Sequence, residues 1–498
     1  MQALQMRKIK TGGLIMSKNS QMSAMDRINA LLDEGSFVEI GANVTKRNTD
    51  FNLSEKSVPS DGVITGYGLI DCNLVYVYSQ DASVLGGSIG EMHAKKITRI
   101  YDLALKVGAP VIGLIDCAGL RLQEATDALA GFGELYMKQT QVSGVIPQIS
   151  AVFGSCGGGV AISQALSDFT FMEASKAKLF VNSPNALEGN YIDKCDTSSA
   201  AFQAEAGMAD FVCESEEEVL AELRNLVMVL PSNSEDNESY DECNDDLNRL
   251  IPGFEGYIAD PAQALMVISD EQVFVETKKD YAKDMVTGFV RLNGMTVGAV
   301  ANRSGLFDED GKEVEHFDGL SVDGCKKAAE FVQFCDAFNI PVLTLTNVAG
   351  YKATMAEEKE IAKAAAKLTY AFASATVPKI NVITGKAFGS AYITMNSKHI
   401  GADMVFALPN AQIGMMDAEK AVTIMYADEI KSADNKNAVI AEKTAEYAAL
   451  QGSADAAAKR GYVDNIIHPE ETRKHLVYAF EMLFTKNENG PAKKHGTV

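Results

Sequence analysis

The sequence carries one pattern twice. Residues 144–162 read GVIPQISAVFGSCGGGVAI, and residues 375–393 read ATVPKINVITGKAFGSAYI. Each copy is typical of a short apolar strand, a tight glycine turn and the beginning of a helix. A single constant interval, which we call the repeat spacing, separates every matched pair and favours duplication over chance similarity between two buried strands. The pairs are Pro147 with Pro378, Gly154 with Gly385, and Gly158 with Gly389.

The repeat spacing continues upstream of this pattern. Residues 110–119 (PVIGLIDCAG) align with 341–350 (PVLTLTNVAG), and Lys95-Lys96 aligns with Lys326-Lys327. The aligned stretch is longer than the units of about 20–50 residues that build solenoids. A chain of 498 residues also exceeds what one hydrophobic core holds. The sequence therefore predicts two tandem domains from an internal duplication.

Strands and helices alternate along the repeated module, which indicates βαβ units and an α/β fold. The predicted loop 116–121 (DCAGLR) follows a strand, where α/β proteins place ligands. We predict domains at 23–250 and 251–485, joined by an exposed acidic linker at 231–249. The predicted elements of the first module are helix 25–37, strand 74–78, helix 93–107, strand 111–115, helix 126–143 and strand 149–153.

Composition and charge exclude several classes of function. The formal net charge of −22 argues against a nucleic-acid partner, because phosphate binding needs clustered Lys and Arg. None of the eight cysteines has C-x-x-C spacing, so we predict no metal site and a reducing cytoplasm. No apolar run reaches the length of a membrane span, and residues 1–22 read as a leader outside the fold.

The repeated turn is suited to stabilising a negative oxygen. The free first-turn N–H groups of a helix converge on one point, and glycine lets a ligand approach closely. Such an oxyanion hole favours an enolate over its parent carbonyl. Alternatively, the glycines only permit close packing. The candidate amides are those of Gly158, Gly159 and Val160 in the first module and of Gly389, Ser390 and Ala391 in the second.

The usual catalytic side chains are scarce. We predict that His93 and His399 pack or lie at helix ends, and that Cys156 is a small packing residue. A hydratase or isomerase of acyl-CoA is a second hypothesis; it would need carboxylates such as Glu134 or Glu188 for proton transfer. A third is a non-catalytic protein that binds CoA esters.

Several motifs resemble the carboxyltransferase subunits of biotin-dependent acyl-CoA carboxylases and decarboxylases. The similarity covers roughly residues 23–485 and implies two crotonase-fold (ClpP/crotonase-like) domains. It also implies a homodimer or a trimer of dimers, with the active site between the first module of one subunit and the second module of another. The motifs are DGVITGYG at 61–68, GGS at 86–88, VGAPVIG at 107–113, GVIPQIS at 144–150, ALSDFTF at 165–171, YAKDMVTG at 281–288, FCDAFNIP at 334–341 and KHIGAD at 398–403.

The resemblance also implies how the two turns divide the reaction. The first would hold the thioester oxygen of an acyl-CoA, and the second the ureido oxygen of biotin, while a carboxyl group passes between N1 of biotin and the acyl α-carbon. The implied substrate-binding residues are Gly86, Gly87, Ser88, Ala118, Gly119, Arg121, Ala349, Gly350 and Ile393.

The chain shows no Ala-Met-Lys-Met biotin attachment site and no ATP-binding biotin carboxylase module. The resemblance therefore implies a separate biotin carboxyl carrier protein, and either a biotin carboxylase or a membrane decarboxylase subunit. We expect a cytoplasmic location, either free or peripheral to a membrane complex.

The sequence departs from the family pattern at several loops. Residues 117–121 (CAGLR) stand where S-G-G-A-R is usual, and Thr197 to Asp210 lacks the usual Gly-Gly-Ala and His. The usual R-H-G-A is replaced within Glu360 to Lys367, and Ser390 stands for a glycine. Ile393 occupies a position that is Asp in many propionyl-CoA-type enzymes. An apolar residue at this position resembles the acetyl-CoA, broad-range or decarboxylase members of the family.

Overall fold

The computed structural model describes residues 21–47, 58, 60–236, 243–308, 310–317, 319–488 and 490. Most of the predicted leader, residues 237–242 of the predicted linker and the end of the tail lie outside these ranges. The described helices are α1 (Ala24–Leu31), α2 (Glu91–Val107), α3 (Ala125–Val142), α4 (Gly159–Ala165), α5 (Asn190–Asp193), α6 (Ala200–Glu205), α7 (Glu216–Val229), α8 (Pro261–Ile268), α9 (Val322–Ala337), α10 (Ile361–Ser374), α11 (Gly389–Thr394), α12 (Ala418–Met425), α13 (Ala427–Ser432), α14 (Lys436–Gln451), α15 (Ala454–Lys459) and α16 (Thr472–Leu483).

The strands form two large sheets and one small hairpin. They are β1 (Val38–Glu39), β2 (Val63–Ile70), β3 (Asn73–Gln80), β4 (Val111–Cys117), β5 (Gln148–Gly157), β6 (Phe169–Glu173), β7 (Lys178–Phe180), β8 (Phe211–Cys213), β9 (Phe274–Thr277), β10 (Met285–Leu292), β11 (Met295–Asn302), β12 (Gly305–Phe307), β13 (Glu313–His316), β14 (Val342–Val348), β15 (Lys379–Phe388), β16 (Met404–Ala407), β17 (Gln412–Gly414) and β18 (Asn465–Ile466).

Each large sheet opens with an antiparallel hairpin and continues with parallel strands joined by helices. The first sheet runs β1-β2-β3-β4-β5-β6-β8, and the second runs β18-β16-β15-β14-β11-β10-β9. In each, a short strand pairs with the end of the central strand: β7 with β5, and β17 with β15. This arrangement confirms the predicted α/β class.

The duplication extends to the pairing register. Val111 of β4 lies opposite Gln148 of β5, and their counterparts at the repeat spacing, Val342 of β14 and Lys379 of β15, also lie opposite each other. The isolated bridge between Ile89 and Leu120 recurs between Leu320 and Tyr351 at the same spacing. The limits 23–250 and 251–485 stay predictions, but α1 to β8 and α8 to α16 lie inside them.

Some predicted boundaries were wrong, and in β4 the reason is that strand pairing continues past the apolar core. Asp116 and Cys117 were predicted as loop, yet they end β4, where Cys117 lies opposite Cys156 of β5 after a register shift. Helix α1 is shorter than predicted and begins at a capping box of Ser23 and Asp26. The linker was predicted to be exposed, but its described parts are mostly half-buried. One contact to the second module is made there, where the Asn339 side chain donates to the Ser234 carbonyl at 2.6 Å.

The two modules share one apolar core. Phe169 of β6 packs edge-on against Phe289 of β10, with ring centroids 6.0 Å apart, and against Phe334 of α9 at 4.9 Å. One cluster of buried residues contains members from both sheets, including Phe171 and Phe372. This shared apolar burial holds the modules together.

Equivalent aspartates fasten the central parallel strand of each module. Asp168 accepts from the Gln148 amide at 2.8 Å, and Asp403 accepts from the Lys379 amide at 2.8 Å. Asp403 also pairs with Lys486 at 2.8 Å. Burial, and to a smaller extent the neighbouring Asp210 carboxylate, raises the pKa of Asp168 to about 7.

We predict that Asp168→Asn raises thermal stability at pH 8 but not at pH 4. The folded-state pKa of Asp168 lies above the unfolded value, so the stability linked to this group is present in acid and is lost as pH rises through about 7. The asparagine keeps an acceptor for the Gln148 amide without ionising. Scanning calorimetry should show a gain of about 2–4 °C at pH 8. Asp403→Asn, which breaks an ion pair, should give no such gain, and an equal effect of Asp168→Asn at both pH values would contradict the prediction.

Candidate active site

The first glycine turn joins β5 to α4. Gly158 adopts φ +63° and ψ −127°, a backbone conformation that side chains disfavour. Its N–H donates to the Phe180 carbonyl of β7 at 2.9 Å and is therefore engaged within the sheet. The N–H groups of Gly159 and Val160 lie in the first helical turn, where an amide has no intrahelical partner. Of the three predicted amides, these two are left for a ligand.

Two loops form a wall beside this turn. The Ala118 amide donates to the Gly86 carbonyl at 2.9 Å, and the Ile89 amide donates to the Gly119 carbonyl at 2.9 Å. A Cβ on Gly87 would lie 2.1 Å from the Asp116 carbonyl oxygen, so only glycine permits this approach. The structure thus brings together the predicted residues of both loops, with Gly86 and Ala118 exposed and Gly87 and Gly119 buried behind them.

Arg121 and Ser88 are both buried, and their role in substrate binding stays a prediction. The Arg121 side chain is 1% exposed, and its guanidinium pairs with Asp61 at 2.6 Å and Glu124 at 2.8 Å. It also donates to the Ser88 carbonyl at 2.7 Å, while Glu124 accepts from the Glu91 amide at 2.7 Å. In this arrangement the Arg121 guanidinium is engaged within the protein and supports the 86–88 loop from behind.

The second turn repeats the first with different side chains. Gly389 has φ +60° and begins α11, so the amides of Gly389, Ser390 and Ala391 belong to its first turn. The Asn347 Oδ1 accepts from the Lys386 amide at 2.9 Å, just as the Asp116 Oδ1 accepts from the Ser155 amide at 3.2 Å. We did not predict this pair of supports, although two polar residues aligned within apolar strands were a usable signal.

A cavity of 770 Å³ opens at the second turn. Its lining residues lie between positions 389 and 462 and include Ile393, whose role in substrate binding stays a prediction. The Tyr392 hydroxyl is buried without a hydrogen-bond partner among the described residues. The lining residues of this cavity that we did not predict from the sequence include Met415, Met425, Tyr426, Leu450 and Tyr462.

The other two predicted residues of the second module lie elsewhere. Ala349 lines a separate cavity of 230 Å³, and the Gly350 carbonyl accepts from the Leu320 amide at 3.0 Å.

The remaining candidate side chains behave as packing or surface groups. His93 is fully buried, and burial lowers its pKa to about 3, so it stays neutral. His399 contacts the rings of Tyr392 and Tyr462. Cys156 is buried, which confirms the packing prediction, while Glu134 and Glu188 are exposed. Of the described helices, none is both long and apolar enough to cross a bilayer.

The carboxyl transferase domain model matches residues 17–498. The chain belongs to the carboxyl transferase family. It is 39% identical over 508 residues to the methylmalonyl-CoA decarboxylase alpha subunit of Propionigenium modestum, covering 99% of this chain and 96% of that protein. It is 38% identical to the human mitochondrial propionyl-CoA carboxylase beta chain, covering 97% of this chain and 89% of that protein. The transcarboxylase 12S crystal structure, a hexamer with methylmalonyl-CoA and methylmalonic acid bound, matches with TM-score 0.88 and 37% identity over 96% and 92% of the two chains.

These matches confirm the predicted enzyme class and the duplicated crotonase-like fold. The chain is a biotin-dependent acyl-CoA carboxyltransferase of the type found in propionyl-CoA carboxylase and methylmalonyl-CoA decarboxylase. Neither the hydratase nor the scaffold hypothesis gains support from them.

We predict that Arg121→Met destabilises the fold by about 3–5 kcal/mol, because it leaves the Asp61 and Glu124 carboxylates buried without a counter-charge. Urea unfolding should report the loss. Lys95→Met removes an exposed ion pair with Glu91 and should cost less than about 1 kcal/mol. A raised KM at unchanged stability in Arg121→Met would instead support direct substrate binding.

Proposed function

We propose that the first turn binds the acyl-CoA thioester oxygen and the second binds the ureido oxygen of biotin. The observation that carries this assignment is the equivalence of the turns: each places free first-turn amides after the same strand of the duplicated module. Transfer of a carboxyl group involves two partners that each become enolate-like at an oxygen. A separate oxyanion hole for each suits the reaction, and one donor of this kind is worth roughly 10²–10³ in rate.

The residues at the first turn suit an acyl thioester. Gly159 and Val160 supply the amides, and exposed Gly86 and Ala118 leave space beside them. None of these four residues carries an acid–base side chain. Stabilisation by backbone dipoles is therefore the chief chemical contribution that we assign to this module.

The cavity at the second turn fits biotin, a compact ring system with an apolar body and a polar urea edge. A 770 Å³ space walled by Ile393, Met415 and Leu450 matches the apolar body. Gly389 also lines this space, and a Cβ there would approach the Met415 carbonyl oxygen to 3.2 Å. When bound, biotin supplies the ring nitrogen that carries the carboxyl group; this chain holds and orients it.

In the proposed assembly Ile393 lies in the second-turn cavity and would meet the acyl group where the first module of another subunit closes the site. Its side chain is apolar and lines the second-turn cavity, so it offers no charge to a substrate there. We propose a short acyl-CoA as substrate, with the direction, carboxylation or decarboxylation, set by the partner subunits. The partners in this proposal are a separate biotin carboxyl carrier protein and either a biotin carboxylase or a membrane decarboxylase subunit.

Exposed apolar residues occur in both modules and fit a homodimer. In the first module they include Leu122 (81% exposed), directly after the 116–121 loop, and Tyr191 (81%) and Ile192 (68%) of α5. In the second they include Met415 (76%), which lines the second-turn cavity, and Ile424 (68%), which precedes the lining residue Met425 on α12. We propose that the first module of one subunit covers the second module of another, which would complete one active site; a trimer of dimers is the larger assembly.

The proposal is tested with purified protein, free biotin and malonyl-, methylmalonyl- and glutaconyl-CoA. We expect biotin-dependent decarboxylation of at least one ester. Mass spectrometry of the acyl-CoA product would detect it. Gly159→Val and Gly389→Val should each reduce the rate at least about 100-fold while circular dichroism stays native, because the branched side chain fills the turn. Gly133→Val, at an exposed helical glycine with open space around its Cα, is the control. Turnover at the wild-type rate in both turn variants would overturn the assignment.

The interface is tested separately. Ile424→Asp introduces a charge into the exposed apolar surface of α12 and should produce monomers in analytical ultracentrifugation. Activity should fall in parallel, because each site would lose its second half. Val314→Asp changes a residue of similar exposure, 60%, on the β12–β13 hairpin and should leave the assembly intact. A fully active Ile424→Asp monomer would contradict the shared site.

A further inference from the structure

A tyrosine hydroxyl from a neighbouring helix contacts the first turn. The Tyr136 hydroxyl, on α3, donates to the Gly159 carbonyl at 2.6 Å. This carbonyl and the Val160 N–H belong to the same peptide group. A hydrogen bond to the oxygen therefore fixes the plane of the peptide and polarises its N–H toward stronger donation.

We propose that Tyr136 is a positioning residue for carboxyl transfer, acting through the Val160 N–H of the first oxyanion hole. The inference rests on the proposed function, because the amide must face a developing negative charge for its polarisation to matter. Tyr136 does not touch the reacting atoms in this assignment; it sets the direction and the donor strength of a group that does.

The environment of Tyr136 keeps the phenol in place as a donor. Its ring lies 5.8 Å from that of Phe132, centroid to centroid, one turn earlier on α3. Burial raises the pKa of Tyr136 above its usual value, so the hydroxyl keeps its proton at neutral pH. A Cβ on Gly159 would lie 2.8 Å from the hydroxyl oxygen, so a side chain at this position would displace the phenol from the contact.

In the second module a hydroxyl also contacts the equivalent carbonyl, but it comes from a different side chain. Ser390 aligns with Gly159 at the repeat spacing, and its carbonyl lies 3.0 Å from the Thr394 hydroxyl, which shares its single proton between this carbonyl and that of Ala391 at 2.9 Å. That carbonyl shares a peptide group with the Ala391 N–H. The Tyr351 hydroxyl lies 3.3 Å from the Thr394 hydroxyl. Lys367, at the position of Tyr136, is exposed. Two unrelated side chains thus contact the same oxygen of the repeated turn.

The test begins with the wild-type protein, which must show biotin-dependent decarboxylation; if it does not, the proposed function fails and the inference fails with it. Given that activity, Tyr136→Phe should lower kcat about tenfold with KM for the acyl-CoA changed less than about twofold. Tyr478→Phe removes a hydroxyl that donates to Asn248 at 2.9 Å in the second module and should be neutral. An unchanged kcat in Tyr136→Phe would overturn the inference while leaving the proposed function intact.

A second measurement separates polarisation from packing. Replacing Tyr136 by 3-fluorotyrosine makes the phenol a stronger donor with almost the same shape, so kcat at pH 6.5 should rank Phe below Tyr and Tyr below 3-fluorotyrosine. A purely structural hydroxyl would give equal rates for the two tyrosines. Thr394→Val should also lower kcat, whereas Thr369→Val, which removes a similar 2.8 Å bond to the Ala365 carbonyl within α10, should not. An equal loss in both threonine variants would remove the support from the second module.

Discussion

The parallel register between β4 and β5, repeated between β14 and β15, determines where every part of the site lies. After the shift that pairs Cys117 with Cys156, β5 ends beside β7 and turns at Gly158 into α4. The helix then begins at a fixed point of the sheet, with its free amides at the edge where the 116–121 region also ends. An oxyanion hole needs donors that are in place before charge develops, and a sheet register supplies that rigidity.

The modules differ in how firmly they hold the region behind the turn. In the first, Arg121 is buried between Asp61 and Glu124 and fixes the Ser88 carbonyl. At the equivalent position in the second, the exposed Lys352 lies 3.7 Å from Glu357. Glu357 still accepts from the Val322 amide at 2.6 Å, as Glu124 does from the Glu91 amide. A buried charge network resists displacement, whereas an exposed pair contributes little stability. This asymmetry accords with the different ligands that we propose for the two turns.

Backbone groups, rather than acidic or basic side chains, do the chemistry that we assign to this enzyme. Side chains act on those groups indirectly: Asp116 and Asn347 hold the strand ends, and Tyr136 and Thr394 contact the peptide groups of the turns. This division explains why family loops can vary in sequence. A change at residues 117–121 alters the wall of the pocket, while the amides stay in position as long as the register and glycine turns persist.

The duplication, the α/β class and the position of both turns could be predicted from the chain alone. These features depend on apolar runs, glycines and a constant spacing between matched residues. All three can be read from a single sequence. Only the folded molecule shows that Arg121 is buried and that the Gly158 amide donates to the Phe180 carbonyl. Burial and hydrogen-bond partners come from segments that are distant in sequence. The same holds for Tyr136, whose hydroxyl lies 23 residues before its acceptor and on another helix. Neither spacing nor residue type marks such a contact; it arises from the packing of α3 against the turn.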